Sequence, residues 1–248
     1  MSPQQHTLKA EPASSGGVGG WQATPIGRVA APLRDQVLEV VRQGILDFQL
    51  KPGQRLIERE LMAQLGVSRA TVREVVARLA SEGLVTIIPQ RGAIVSVLSV
   101  EEAADIYEMR VTLEALAVER FIERASEEQT RQIRQVYEDL AAVPNGPDAN
   151  TARLRVKDAF YQVLLSGAAS PPLTQILTML QDRVRLLRRM SLSAPGRPEQ
   201  TEREIKAIVD AISKGDRAAA AKASATHVRN AARTALSRMA EPDEGASA

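Results

Sequence analysis

The stretch Arg55-Leu56-Ile57-Glu58-Arg59-Glu60-Leu61-Met62-Ala63-Gln64-Leu65-Gly66-Val67-Ser68-Arg69-Ala70-Thr71-Val72-Arg73-Glu74 decides the fold. Leu61 and Leu65 stand one turn apart, as the apolar face of a short helix requires, and Gly66 permits a tight turn after them. Ser68 is placed to cap a second helix by accepting a hydrogen bond from one of its free N–H groups. On that helix Val72, Val76 and Leu79 recur at spacings of four and three and face inward, while Arg69 and Arg73 lie one turn apart on another face. Two helices fixed at an angle by a Gly turn, with arginines left over on the second, read as a helix-turn-helix. The plainer alternative is a small helical hairpin with solvated arginines.

The flanking sequence favours the first reading. After Gly83, placed as a helix C-cap, come Leu84-Val85-Thr86-Ile87-Ile88, the turn Pro89-Gln90-Arg91-Gly92, and Ala93-Ile94-Val95-Ser96-Val97, two β-rich runs around a turn. This is a wing. Upstream, Leu33, Val37, Val40, Val41 and Ile45 form a helical apolar stripe that covers the hairpin, and Lys51-Pro52-Gly53 supplies the break before it. The domain expected over 28–98 is a winged helix-turn-helix, whose partner is double-stranded DNA.

Composition agrees. The 248 residues, 44% of them apolar, suit two modest domains, and a net charge of +2 says little by itself. Its distribution says more: residues 28–98 carry ten Lys/Arg against seven Asp/Glu, whereas residues 99–248 carry 21 against 22. No apolar run approaches the roughly 20 residues of a membrane span, and the N-terminus lacks the apolar core of a signal peptide, so a cytoplasmic location is expected. The absence of cysteine excludes disulfides, thiol nucleophiles and thiolate metal sites. Residues 1–27, with Ser14-Ser15-Gly16-Gly17-Val18-Gly19-Gly20, and residues 241–248 read as flexible tails. Trp21, the only tryptophan, is read as a tail residue.

Downstream of Val97 the chain reads as helices. Ser99 with Glu102 and Ser126 with Gln129 have capping-box spacing, Ser170-Pro171 puts Pro at a first helical position, and Gly215-Asp216 closes one helix and caps the next. About six helices are expected, near 100–124, 127–142, 151–167, 171–192, 199–213 and 217–239, with breaks at Pro144-Asn145-Gly146-Pro147 and Ala194-Pro195-Gly196. The fold class is therefore mostly α: an N-terminal winged helix-turn-helix and, over 99–240, an all-α helical bundle.

The segment from Leu33 to Val97 resembles the DNA-binding domain of the GntR family of bacterial transcription regulators. Its Lys-Pro-Gly turn, Leu-x-Glu-Arg-Glu-Leu helix, Leu-Gly-Val-Ser-Arg turn, Val-Arg-Glu recognition helix and Glu-Gly-Leu-Val exit are present almost in full. The resemblance implies that Arg59, Ser68, Arg69, Thr71 and Arg73 contact phosphates or base edges, and that Arg91 and Gly92 enter the minor groove from the wing. Ala70 departs from the pattern, standing where many members carry a Thr hydroxyl.

The second part resembles the FCD effector domain of the FadR-like branch of that family. The match lies in Tyr107-Glu108-Met109-Arg110-Val111-Thr112-Leu113-Glu114-Ala115-Leu116-Ala117, in Asp158-Ala159-Phe160-Tyr161-Gln162-Val163-Leu164, and in Ala207-Ile208-Val209-Asp210-Ala211-Ile212 leading to His227. The resemblance implies a homodimer that encloses a small carboxylic metabolite and passes its occupancy to the DNA heads. Many members hold a divalent metal with an Asp, a His four residues on, and two later His. Here Lys157 stands at the Asp, Tyr161 at the first His and Ile205, after Glu204, at the second, so only His227 of four ligands is kept. A lone imidazole does not make a stable site, which needs about three or four donors, so no metal and no cofactor is expected.

At 100° per residue, Lys157 falls near the middle of the apolar arc of Leu154, Val156, Phe160, Val163, Leu164 and Leu165, with Tyr161 beside it. Arg183 falls inside the arc of Leu173, Ile176, Leu180, Val184 and Leu187, while Arg185 and Arg189 point outward; Arg110 lies on the stripe of Ile106, Leu113 and Ala117. Inward cations need anionic partners. One reading is a pocket for a small anion formed by Arg110, Lys157, Tyr161, Arg183 and His227. The other is internal: Arg110 pairs with Glu114, Arg183 reaches an acid on another helix, and Lys157 snorkels to the bundle edge.

Two function classes follow. The first is a ligand-responsive regulator, a repressor in the preferred reading and an activator in the alternative, binding an inverted-repeat operator as a two-fold dimer. The second is a DNA-tethered enzyme, for which no catalytic set exists: there is no cysteine, one histidine besides His6 of the tail, and no Gly-Lys-Ser/Thr phosphate loop.

Overall fold

In the computed structural model, which describes residues 30–47, 49–144, 149–185, 187 and 194–240, the turn at Gly66 is left-handed (φ 66°) and its N–H donates to the carbonyl of Met62. It joins α2 (Glu58–Leu65) to α3 (Arg69–Ser81). Ser68 caps α3, its Oγ accepting from the Thr71 N–H at 3.2 Å. Val72, Val75, Val76 and Leu79 of α3 are buried against Val37, Val41, Ile45 and Leu46 of α1 (Ala30–Leu46). Leu33 and Val40 are 50% and 57% exposed, so the core stripe of α1 runs at 37, 41 and 45. The two other apolar residues expected in it belong to the outer face.

The wing pairs β2 (Val85–Ile88) with β3 (Gly92–Val95) antiparallel, Val85 opposite Val95 and Ile88 opposite Gly92. Gln90 (φ 63°) and Gly92 (φ 86°) take left-handed backbone in the turn. A strand that periodicity does not reveal, β1 (Arg55–Leu56), pairs with the other edge of β3, giving the order β1-β3-β2. Two residues are too few for an alternation to show. Leu56 is nevertheless buried, and the Gly53 N–H donates to the Val95 carbonyl, tying this segment to the wing.

Six further helices lie in the described residues: α4 (Val100–Arg124), α5 (Glu127–Ala141), α6 (Ala149–Ala168), α7 (Pro171–Arg183), α8 (Arg197–Ser213) and α9 (Arg217–Ala240). Both capping boxes are formed, at Ser99 with Glu102 and at Ser126 with Gln129. Asp216 caps α9 by accepting from the Ala219 N–H at 2.9 Å. The helix expected over 171–192 ends at Arg183; of its remainder, 186 and 188–192 lie outside the described residues. α8 starts two residues before the expected 199, because Pro198 occupies a first-turn position where no N–H donor is required. The tails, with His6 and Trp21, and the 145–148 part of the Pro-Asn-Gly-Pro break also lie outside the described residues.

α4 crosses two apolar clusters. At one end Phe121 packs with Ile133, Leu164, Leu177 and Ile208; nearer its start Ile106 and Tyr107 pack with Leu180, Val184 and Val228. α6 approaches α4 closely at Gly167, where a Cβ would lie 2.3 Å from the ring of the fully buried Phe121 and 3.1 Å from Ala125 Cβ. Gly167→Ala gains up to about 1 kcal/mol of helix propensity. Overpacking costs about 1–3 kcal/mol and more where the neighbour cannot yield, so a net loss is expected. Urea unfolding of the variant should show a lower midpoint; an unchanged or raised midpoint would contradict this packing of α4 on α6.

Candidate functional site

Arg69 and Arg73 stand on the outer face of α3, their side chains 68% and 72% exposed. Both are oriented by one carboxylate at the start of α2: Arg69 Nε lies 3.6 Å from Glu58 Oε2 and Arg73 Nε 3.7 Å from Glu58 Oε1. Exposed pairs at such distances are weak. They hold the arginines loosely and release them to a stronger anion. Arg59 on α2 and Arg91 and Gly92 at the wing turn are likewise exposed. Ser68 and Thr71 are joined by a 2.9 Å hydroxyl contact beside the N-cap bond, so both are engaged in starting the helix. Arg55, placed by β1, brings its guanidinium about the wing turn: a Cβ at Gly92 would lie 3.9 Å from its Nε and Nη2.

The bundle holds a second constellation inside. Arg110 of α4 donates from Nε to Glu114 Oε1 at 2.8 Å, the Tyr161 hydroxyl of α6 donates to Glu114 Oε2 at 2.9 Å, and the Arg110 guanidinium lies 5.1 Å from the Tyr107 ring centre. One turn before Tyr161, Lys157 places Nζ 3.5 Å from His227 Nε2 of α9. His227 Nδ1 lies 2.7 Å from Glu204 Oε2 of α8. The same carboxylate accepts from Asn230 Nδ2 at 2.6 Å and from Arg197 Nη1 at 3.0 and 2.9 Å. Arg110, Lys157, Arg197 and His227 are all at most 5% exposed.

Electrostatics sets the protonation states. Burial disfavours the His227 imidazolium and the Lys157 charge opposes it further; the bond to Glu204 compensates only in part, and the pKa falls to about 4. Burial alone would raise Glu204, but the bonds from His227 and Asn230 and the Arg197 charge outweigh it and bring its pKa to about 2. At neutral pH His227 is therefore neutral and Glu204 ionised. Arg110 then pairs with Glu114 and Arg197 with Glu204, and the Lys157 ammonium lies against His227. Several buried donors, Arg110 Nη1, Arg197 Nε and Nη2 and the Thr201 hydroxyl, have no hydrogen-bond partner among the described residues.

Between the DNA-binding domain and the bundle lies a cleft of about 800 Å3, with Arg42 and Glu82 on one wall and Tyr161, Gln181 and Arg185 on the other. Arg185 bridges it, its Nη2 lying 3.3 Å from Asp158 of α6 and 3.5 Å from Asp47 just after α1. Arg183 sits at the same junction, 3.6 Å from Glu102 and against Gly83, where a Cβ would come within 2.8 Å of its Nε.

Residues 33–95 match the family model for bacterial regulatory proteins of the gntR family, and residues 105–230 match the FCD domain. The chain belongs to the GntR family. It is a DNA-binding transcription regulator with an FCD domain, and its family and relatives are regulators, not enzymes. This GntR regulator is 28% identical to the uncharacterized HTH-type transcriptional regulator YdhC of Bacillus subtilis (strain 168), over 75% of this chain and 83% of that protein. It is also 28% identical to the HTH-type transcriptional repressor RspR of Escherichia coli (strain K12), over 80% of this chain and 86% of that protein. The E. coli McbR/YncC structure shares its fold, with a TM-score of 0.65 at 23% identity over 79% of this chain and 93% of that one. No helix among the described residues is long and apolar enough to cross a membrane.

The metal that the FCD resemblance implies does not fit these residues. His227 Nε2, the nitrogen a metal would use, faces the Lys157 ammonium, and its other nitrogen is engaged by Glu204. No group of three His, Cys, Asp or Glu side chains among the described residues could hold an ion. Of the five candidate residues, Arg110 and Tyr161 are joined through Glu114, and Lys157 lies against His227, which is bound to Glu204. Arg183 is not among them. Ile176, in its expected arc, is 44% exposed, and that end of α7 faces the other domain. For the same reason Arg185, expected to face solvent, is a bridge. Arg197 lies outside the helix expected over 199–213, so that span does not show the face it shares with Thr201. Extended back to 197, it puts Arg197, Thr201, Glu204 and Ile208 on one face at spacings of four, three and four.

Chelator treatment is expected to leave the melting temperature unchanged, and elemental analysis to find no stoichiometric zinc, manganese or nickel; one bound metal per chain would contradict the fit. Acid should act in two stages. His227 has a lower pKa folded (about 4) than unfolded (6.5), so stability falls as the pH drops from 6.5 to 4. The Glu204 contribution, present above pH 4.5, is lost as the pH falls to about 2. In His227→Gln the melting temperature should lose its slope between pH 6.5 and 4, and the lower slope should shrink as Glu204 loses the His227 bond; identical profiles would contradict a buried neutral His227.

Proposed function

We propose that this regulator is a ligand-responsive repressor of the FadR-like branch, acting in the cytoplasm as a homodimer on a palindromic operator and released by a small organic-acid effector. The domains are the winged helix over 28–98 and the effector and dimerisation domain over 99–240. The observation that carries this reading is the set of buried donors on Arg110, Arg197 and Thr201 left without a hydrogen-bond partner among the described residues, in a domain joined to an exposed pair of recognition arginines. Burying unmatched donors is costly, and a small anion is the simplest group to complete them. Arg110, Lys157, Tyr161 and His227 bound its site; Arg183 acts at the domain junction. The naming of RspR as a repressor supports the sign of regulation. Exposed Met109 and Leu116, seven residues apart on α4, supply an apolar strip for the partner helix.

Tyr161 offers the route between effector and DNA. Its hydroxyl is bound to Glu114, and the residue also lines the interdomain cleft that Arg185 bridges. An anion that draws Arg110 or Lys157 toward itself displaces this contact and biases the position of the DNA head. It shifts operator binding only by its differential affinity for the two states.

Arg69→Ala and Arg73→Ala are each expected to weaken operator binding by about 1–3 kcal/mol if the lost contact is a bidentate one to guanine. Folding should be unaffected, since both side chains are exposed. Gel-shift titration together with light scattering tests reader and dimer at once: wild-type affinity in both variants would remove α3 from the groove, and a monomer that still binds an inverted repeat would remove the dimer.

A further inference from the structure

We propose that Glu58 determines the sequence specificity of DNA binding, by holding Arg69 and Arg73 in a way that favours base edges over bare phosphates. This rests on α3 being the reader helix and adds a positioning residue that need not touch DNA itself. One carboxylate, on the first residue of α2, serves both arginines: Oε2 lies 3.6 Å from Arg69 Nε and Oε1 3.7 Å from Arg73 Nε. Both pairs are made through Nε, on the flank of the guanidinium. The terminal Nη1 and Nη2 fork, which can span guanine O6 and N7, is the part left for the groove. Arg55, Arg59 and Arg91, all exposed, form no ion pair among the described residues. Restraint by an acid is thus confined, in this set, to the two arginines of α3.

A carboxylate on a surface that meets a polyanion needs a physical reason. The start of α2 supplies only part of one, because Glu60 already places an acid in the same first turn. What Glu58 adds is discrimination. Non-specific binding is a sum of contacts between cations and phosphates. There Glu58 opposes binding twice, by competing for Arg69 and Arg73 and by repelling phosphate. Binding to an operator depends instead on where the arginine forks stand. There Glu58 keeps its Nε contacts while the forks take uncharged base edges, and two long side chains are ordered before DNA arrives. Each pair is exposed and weak by itself. Acting on both arginines of one helix, they lower the affinity for random sequence more than the affinity for the operator.

The test uses the full-length protein, a duplex that it selects from a random pool, and a scrambled duplex of the same composition, with affinities measured across a range of salt concentrations. Glu58→Gln should lower the ratio of selected to scrambled affinity by about 3- to 10-fold, chiefly by tightening binding to the scrambled duplex. The slope of log affinity against log salt for the scrambled duplex should steepen by about one per reader helix. Glu60→Gln removes the other acid of the same helical turn and should leave the ratio unchanged. An unchanged ratio in Glu58→Gln, in a protein whose Arg69→Ala and Arg73→Ala variants lose the selected duplex, would overturn the role of Glu58 and leave α3 as the reader. An equal fall in Glu60→Gln would reduce the effect to general surface charge and overturn it as well. If no sequence is selected, or both arginine variants hold the selected duplex as tightly as wild type, the reader assignment fails and the inference fails with it.

Discussion

Glu204 is the carboxylate on which the interior of the bundle depends. It is ionised, nearly buried, and shared by Arg197 on its own helix and by His227 and Asn230 on the next. Remove it and Arg197 becomes an uncompensated charge, and His227, against which Lys157 lies, loses the bond that fixes its ring. A buried ion network of this kind adds little net stability compared with apolar packing of the same volume. What it does add is position: α6, α8 and α9 are registered to one another through groups whose partners cannot be exchanged without leaving a charge unpaired.

Arg110, Glu114 and Tyr161 repeat the device between α4 and α6. The two networks meet on α6, where Lys157 and Tyr161 are one turn apart. Four helices thus converge on a region that is too polar to be an ordinary core and too buried to be surface. Lysine at position 157 has a particular consequence: its charge travels with the chain, so the site carries a resident cation at every metal concentration. A metal site would have tied effector recognition to metal supply; the ammonium removes that linkage.

The junction between domains is built from charge as well. Arg185 links Asp47 to Asp158, and Arg183 lies over Gly83, where the absence of a side chain lets the two domains approach. These are partly exposed contacts with a cleft beside them, which makes them poor sources of stability and suitable points of adjustment. Tyr161 belongs both to the buried network and to the cleft wall, which places the network beside the junction.

Local signals determined much of this protein by themselves. Gly66, Ser68 and the Val72–Val76–Leu79 spacing specify the helix-turn-helix, and Ser99, Ser126 and Asp216 mark helix starts, because caps and turns are contacts between residues three or four apart. The loss of three metal-ligand positions was equally legible, being a matter of residue type. Tertiary structure decided what depends on neighbours distant in the chain. β1 exists only because β3 offers it an edge, and Val40 is exposed because no described element covers that side of α1. Arg183 looks identical to Arg110 in projection, yet one faces a neighbouring domain and the other a carboxylate. A helical wheel gives the direction in which a side chain leaves its helix; only packing decides what stands there to receive it.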